Sequence, residues 1–146
     1  MRVIPPVIRS MFDDAEIAEI ATHRAKLGGT ERDAIDLSLA WADSVQKIDL
    51  DRALPSSDRS VWTEHDLAGS LFLRDHLQRA LEQLPPSVRA RMERFVGEAD
   101  ERFRSSTVDD PGERIATVAD VEVNGRPWWW FRVPDGGPIA EDLARY

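Results

Sequence analysis

The chain has no cysteine, which excludes disulfide bonds and metal sites built on thiolates. It also has no apolar run near the roughly 20 residues that a membrane span needs. The opening stretch Met1–Pro6 is too short and too rich in proline for a secretory signal. From these absences we expect a cytoplasmic protein that has no membrane partner.

Positive charge is scarce. The chain carries 19 Lys and Arg against 27 Asp and Glu, a formal net charge of −8. A nucleic-acid binder needs a basic patch that displaces counterions from phosphates, so we expect no nucleic-acid partner. An acidic surface would instead attract a basic protein.

Motifs for catalysis and for cofactors are also missing. The histidines are His23, His65 and His76, and no two of them have the three- or four-residue spacing that places a pair of metal ligands on one helix. The chain contains no Gly-x-Ser-x-Gly elbow and no glycine-rich phosphate loop. We therefore expect no metal and no cofactor. General acid–base chemistry by a carboxylate pair stays open, because acids are abundant.

What the sequence does contain predicts an α+β fold. With 146 residues, 42% of them hydrophobic, residues 1–146 are expected to form a single domain with a sizeable core. A helical part is predicted over about 13–104, an antiparallel β-hairpin packed on it over about 114–134, and a short terminal helix over about 138–145.

Four main helices are predicted from apolar residues at helical spacing, each beginning at a polar cap. Asp13 starts the first with a capping box, and Gly28–Gly29 is expected to end that helix. Thr30, Thr63 and Ser87 are the predicted caps of the next three.

Acidic residues align on one side of the second helix. Asp33, Asp36 and Asp43 lie opposite its apolar stripe, and Asp49 and Asp51 follow near its end. This arrangement is typical of a solvated face, and it is also what a docking surface for a basic protein would look like.

An Asn-Gly pair lies between two β-rich runs and predicts the type I′ turn of a hairpin at Asn124–Gly125. A two-residue loop fixes the register, and that register places Trp128 and Trp130 in the core. Trp129 then falls on the opposite face, where water can reach it.

The Trp129 face is a candidate ligand site, because it also carries Asp120 and Glu122. An aromatic ring beside carboxylates can bind a sugar or a cationic group. The alternative is a purely structural hairpin with a solvated tip. Phe72, away from the main stripe of its helix, is expected to meet the hairpin or else a partner.

Three functions remain open. The first is a non-enzymatic acidic protein-interaction module, for example an immunity-like or antitoxin-like inhibitor of a basic protein. The second is a domain that binds a small ligand on the Trp129 face, and the third is an enzyme with a carboxylate-based site. An acidic stripe without a pocket would favour the first, and a concave pocket lined by Trp129 and carboxylates would favour the others.

Overall fold

The computed structural model describes residues 2–27 and 30–146. Within these residues the chain forms α-helices, a 3₁₀ helix and two pairs of short antiparallel strands, and the predicted α+β fold is confirmed. The α-helices are α1 (Pro6–Arg9), α2 (Asp14–Ala21), α3 (Ala34–Asp51), α4 (Glu64–Glu82), α5 (Pro86–Ser105), α6 (Glu113–Ala119) and α7 (Pro138–Leu143). The strands are β1 (Ala25–Leu27), β2 (Thr30–Arg32), β3 (Thr107–Asp109) and β4 (Arg132–Pro134), and the 3₁₀ helix is Trp128–Phe131.

Helices α3, α4 and α5 form the core, because each buries a stripe of apolar side chains at three- and four-residue spacing. Helix α3 packs against both of the others. At the centre, the ring of Trp41 lies 5.3 Å from that of Phe103. No helix of the described chain is long and apolar enough to span a bilayer.

Two of the predicted helix caps are confirmed. The side chain of Asp13 accepts from the backbone N–H of Glu16 at 2.8 Å, and the Glu16 carboxylate accepts from the Asp13 N–H in return. Thr63 caps α4 together with Asp66 in the same reciprocal way. Each box satisfies N–H groups that have no partner within the helix.

The other two predicted caps are wrong. Helix α3 begins three residues later than expected, and Asp33 is its cap, accepting from the N–H of Asp36 at 3.0 Å. Thr30 belongs to β2. Helix α5 begins at Pro86, whose fixed φ suits a first turn and which has no N–H to satisfy, so Ser87 caps nothing.

Helix α2 ends at Ala21, well before the predicted stop. Its last carbonyls are satisfied by side chains, since Thr22 Oγ1 donates to Glu19 and Arg24 Nε donates to Ala21. The predicted stop at Gly28–Gly29 lies outside the described residues.

The C-terminal strand pair exists, but the predicted boundaries and register of the hairpin are wrong. Strand β4 pairs with β3, with Val133 opposite Val108, and α6 occupies the place of the predicted first strand. Ile115, Val118 and Ala119 have helical spacing, and this pattern prevails over their β propensity.

The turn at Asn124–Gly125 forms, with the N–H of Arg126 donating to the carbonyl of Val123 at 3.0 Å. Of the two central residues only Gly125 has a positive φ, which is the pattern of a type II turn and not of type I′. A type II turn does not match the twist of two paired strands, so no hairpin follows from it.

Candidate functional site

Two buried aspartates collect the indole N–H groups of three of the five tryptophans. Asp100 of α5 accepts from Trp41 Nε1 at 2.9 Å. It also holds Arg74 of α4 in a two-pronged ion pair, with Nε and Nη2 each 3.0 Å from a carboxylate oxygen. Such paired, charge-assisted bonds hold a guanidinium in one orientation.

The second carboxylate, Asp75 of α4, is only 8% exposed. It accepts from Trp129 Nε1 at 2.8 Å, from Trp130 Nε1 at 3.0 Å and from Arg126 Nη1 at 3.2 Å. The guanidinium carbon of Arg74 lies 4.2 Å from the ring centre of Trp129 and so joins the two carboxylate clusters. We call these residues together the Asp–Trp network.

The Asp–Trp network explains why the tryptophan run is not a strand. Neighbouring residues of a strand point to opposite faces, so a strand would separate Trp129 from Trp130. A 3₁₀ turn after Pro127 brings both indole N–H groups to Asp75. Burying an indole N–H without an acceptor is costly, which favours this turn over the predicted hairpin.

A cleft of about 490 Å³ opens where the network reaches the surface. One wall is a single face of α4, with Asp75, Gln78 and Arg79 at helical spacing. The other wall is formed by the segment that connects α6 to the 3₁₀ helix and by the start of that helix. Its lining residues are Glu122, Asn124, Gly125, Arg126, Pro127 and Trp129. We call this pocket the Trp129 cleft.

The two walls present opposite charges. Asp75 and Arg126 neutralise each other. Among the described residues, Arg79 forms no ion pair with an acid, and its Nη1 lies 3.1 Å from His76 Nδ1. Glu122 lies across the cleft and uses Oε1 to accept from the N–H of Asn124 at 3.2 Å. A guanidinium on one wall and a carboxylate on the other are therefore available to a ligand.

No family model matches this chain, and no curated protein or solved structure does either. The geometry of the site is therefore the basis on which a function can be proposed for this chain.

The structure brings two of the predicted ligand-site residues into this cleft and leaves two out. Trp129 and Glu122 line it, although Trp129 is only 3% exposed and its predicted solvated setting is wrong. Asp120 ends α6 with φ 55° and is not part of the lining. Phe72 packs edge-on against Trp130 with the ring centres 5.0 Å apart, so it meets the C-terminal aromatic segment as expected.

The predicted acidic stripe does not lie on one solvated face. Asp33 is fully buried, where it caps α3 and accepts from Arg2 at 2.6 Å. Asp36 is half-buried and pairs with the same arginine at 3.1 Å. The predicted solvent position of Asp33 is wrong because the helix begins at Ala34 and needs this carboxylate as its cap.

The remaining three acids have different surroundings. Asp51 is buried and accepts from the N–H of Trp62 at 2.8 Å. Asp49 pairs with Arg52 and Arg102. Asp43 is exposed on α3. A role of these residues in partner binding stays a prediction, now centred on Asp43.

Sequence reasoning missed Asp75 and Asp100, although a signal for both was present. Each interrupts the apolar stripe of its helix, Asp75 four residues after Leu71 and Asp100 four after Val96. An acid at such a position must find donors, and buried tryptophans supply them. Within the described residues, no three histidine or acidic side chains are grouped so that they could hold a metal ion.

Proposed function

We propose that the protein binds a small zwitterionic ligand of the amino-acid type in the Trp129 cleft. The observation that carries this proposal is the placement of Arg79 and Glu122 on opposite walls of one cleft beside a buried tryptophan. Arg79 would bind the carboxylate of the ligand and Glu122 its ammonium group, while Pro127 and the edge of Trp129 would contact its apolar part.

The size of the cleft supports a small ligand. Its volume of about 490 Å³ falls within the range of roughly 300 to 1,000 Å³ that small-molecule sites occupy. A few polar groups beside an aromatic surface are also typical of such sites.

The Asp–Trp network supports the proposal through rigidity. Trp129 is fixed by its bond to Asp75, and Arg126 is fixed by Asp75 and by the carbonyl of Glu122 at 2.9 Å. Side chains that are already held in place lose little conformational freedom when a ligand binds.

The experiment is isothermal titration calorimetry with free phenylalanine as the probe. Its N-acetyl and amide derivatives, each of which lacks one of the two charges, serve as comparison ligands. We expect both derivatives to bind more weakly by about fivefold or more, which corresponds to the ~1 kcal/mol of a partly exposed charge contact. Glu122→Gln should weaken the binding of phenylalanine and of its amide, which both carry the ammonium group, and leave the binding of the N-acetyl derivative unchanged.

Glu113→Gln is the matched control, because Glu113 is exposed on α6 and lies outside the cleft lining. If phenylalanine and its two derivatives bind equally, or if Glu113→Gln has the same effect as Glu122→Gln, the zwitterion proposal is wrong.

A second candidate is an acidic surface for a basic protein partner. Asp43 and Glu98 are both exposed at a groove of about 220 Å³ between α3 and α5, next to the half-buried Phe95. Opposite charge would make association with a basic protein fast and sensitive to salt.

The second candidate is tested by charge reversal. Asp43→Arg combined with Glu98→Arg should abolish recovery of a basic protein from extracts of the source cell at low salt. Charge reversal at Asp14, which is also exposed but lies on α2, should leave the recovery unchanged. Recovery that resists both the double reversal and high salt rules this surface out.

A further inference from the structure

A second cleft, of about 430 Å³, lies between the end of α2 and the last turns of α4. One wall is the turn that follows α2, with His23 and Arg24, and the other is the end of α4, with His76 and Arg79. Arg79 contributes to this cleft as well as to the Trp129 cleft. We call the second pocket the histidine cleft.

The histidine cleft is basic in a chain of net charge −8. None of its lining residues is an acid. Nε of Arg24 donates a hydrogen bond to the carbonyl of Ala21 at 3.0 Å, and Nη1 of Arg79 donates to the ring of His76. Across the described residues, neither arginine has a carboxylate within ion-pair distance, so both keep N–H donors available.

The histidines add donors to the same space. Since the Arg79 guanidinium can only donate, His76 Nδ1 accepts, and the ring proton then lies on Nε2. Burial lowers the pKa of His76, and Arg79 lowers it further, while Asp75 opposes them. His23 Nε2 lies 3.4 Å from Glu19, the acid nearest to it on α2.

Helix ends do not cancel this positive charge. Helices α2 and α4 both end at the cleft, and each C-terminus carries about half a negative charge, which partly explains the basic residues there. Two guanidinium groups carry two full positive charges, so the cleft stays electropositive.

We propose that the histidine cleft binds a phosphate-type oxyanion, either inorganic phosphate or the phosphate group of a small monoester. Arg24 and Arg79 bind its oxygens through their planar N–H donors, which match phosphate geometry, and His76 donates from Nε2. The histidine cleft shares Arg79 with the Trp129 cleft, but Arg24, His23 and His76 line the histidine cleft alone, so the phosphate proposal does not depend on the zwitterion proposal.

The test is a titration with sodium phosphate and then with glycerol phosphate, followed by the NMR signal of the His76 ring at constant pH. Sodium chloride at equal ionic strength is the reference. We expect a saturable shift with both phosphates. Tighter binding of the monoester would identify a phosphorylated small molecule as the ligand, and equal binding would identify phosphate itself.

Arg24→Gln should weaken phosphate binding by about tenfold or more, as expected for the loss of one arginine–phosphate contact. Arg59→Gln is the control, because Arg59 is exposed and lies outside both clefts. Glu122→Gln, which tests the Trp129 cleft, should leave phosphate binding unchanged. A shift that chloride reproduces, or an Arg24→Gln protein that binds phosphate normally, overturns the proposal.

Discussion

A carboxylate inside a protein is stable only when donors surround it, and Asp75 meets that requirement with two indole N–H groups and a guanidinium. The dependence is mutual, because the indole N–H groups of Trp129 and Trp130 have no acceptor other than Asp75 among the hydrogen bonds of the described chain. Asp75 is therefore the residue on which the C-terminal aromatic segment depends most.

Asp75→Ala should destabilise the protein by roughly 3 to 5 kcal/mol, since it leaves two buried donors and an arginine without their acceptor. Asp43→Ala on α3 should change stability by less than about 0.5 kcal/mol, because Asp43 is exposed. Urea denaturation of the two variants checks this. Equal midpoints would mean that the network contributes little to stability.

Sequence alone placed Trp130 in the core correctly and Trp129 on the wet face incorrectly. The error followed from assuming strand alternation. The acceptor of both indole N–H groups is Asp75, which lies more than 50 positions away in the sequence. Local periodicity cannot predict a contact between residues so far apart.

At the scale of single elements, the capping boxes of α2 and α4 could be read directly from the sequence because all the groups involved lie within four residues. Helix α6 could not be separated from a strand in the same way. Its apolar residues fit both periods, and the Asn-Gly signal favoured the strand.

Asp13→Ala and Thr63→Ala should each lower the free energy of unfolding by about 0.5 to 2 kcal/mol, because each removes a side-chain acceptor of helical N–H groups. Ser87→Ala should be close to neutral, since α5 begins at Pro86 without a side-chain cap. Thermal denaturation of the three variants gives the comparison. If Ser87→Ala lowered the melting temperature as much as Thr63→Ala does, that result would contradict the observed start of α5.

At the scale of the whole molecule, ion pairs tie separate parts of the chain together. Asp49 of α3 binds Arg102 of α5 at 2.9 Å and Arg52 at 2.7 Å, and Arg52 reaches Asp135 before α7 at 2.8 Å. The net charge predicted an acidic protein, but it did not show which acids are used internally. Such pairs depend on tertiary packing, which composition does not determine.

Hydrogen bonds from Arg52 and then Arg102 lower the pKa of Asp49 below its ordinary value of 3.8. A lowered folded-state pKa stabilises the protein fully above about pH 3.8, and this stabilisation is lost as the pH falls toward the folded pKa. The melting temperature of Asp49→Asn should therefore fall less than that of the natural protein between about pH 6 and pH 3. Asp43→Asn should keep the natural acid dependence. Parallel curves for Asp49→Asn and the natural protein would show that the pair contributes nothing to acid stability.

The close packing of indoles around the Asp–Trp network also gives the molecule a built-in optical probe. Trp128 and Trp129 lie edge to face with their ring centres 5.6 Å apart, near enough for their electronic transitions to couple. Such coupling produces a paired positive and negative band in the circular dichroism spectrum, which vanishes when either ring is replaced. Because Trp129 also borders the cleft, its fluorescence emission should change whenever that cleft is filled, and the unmodified protein can report its own occupancy.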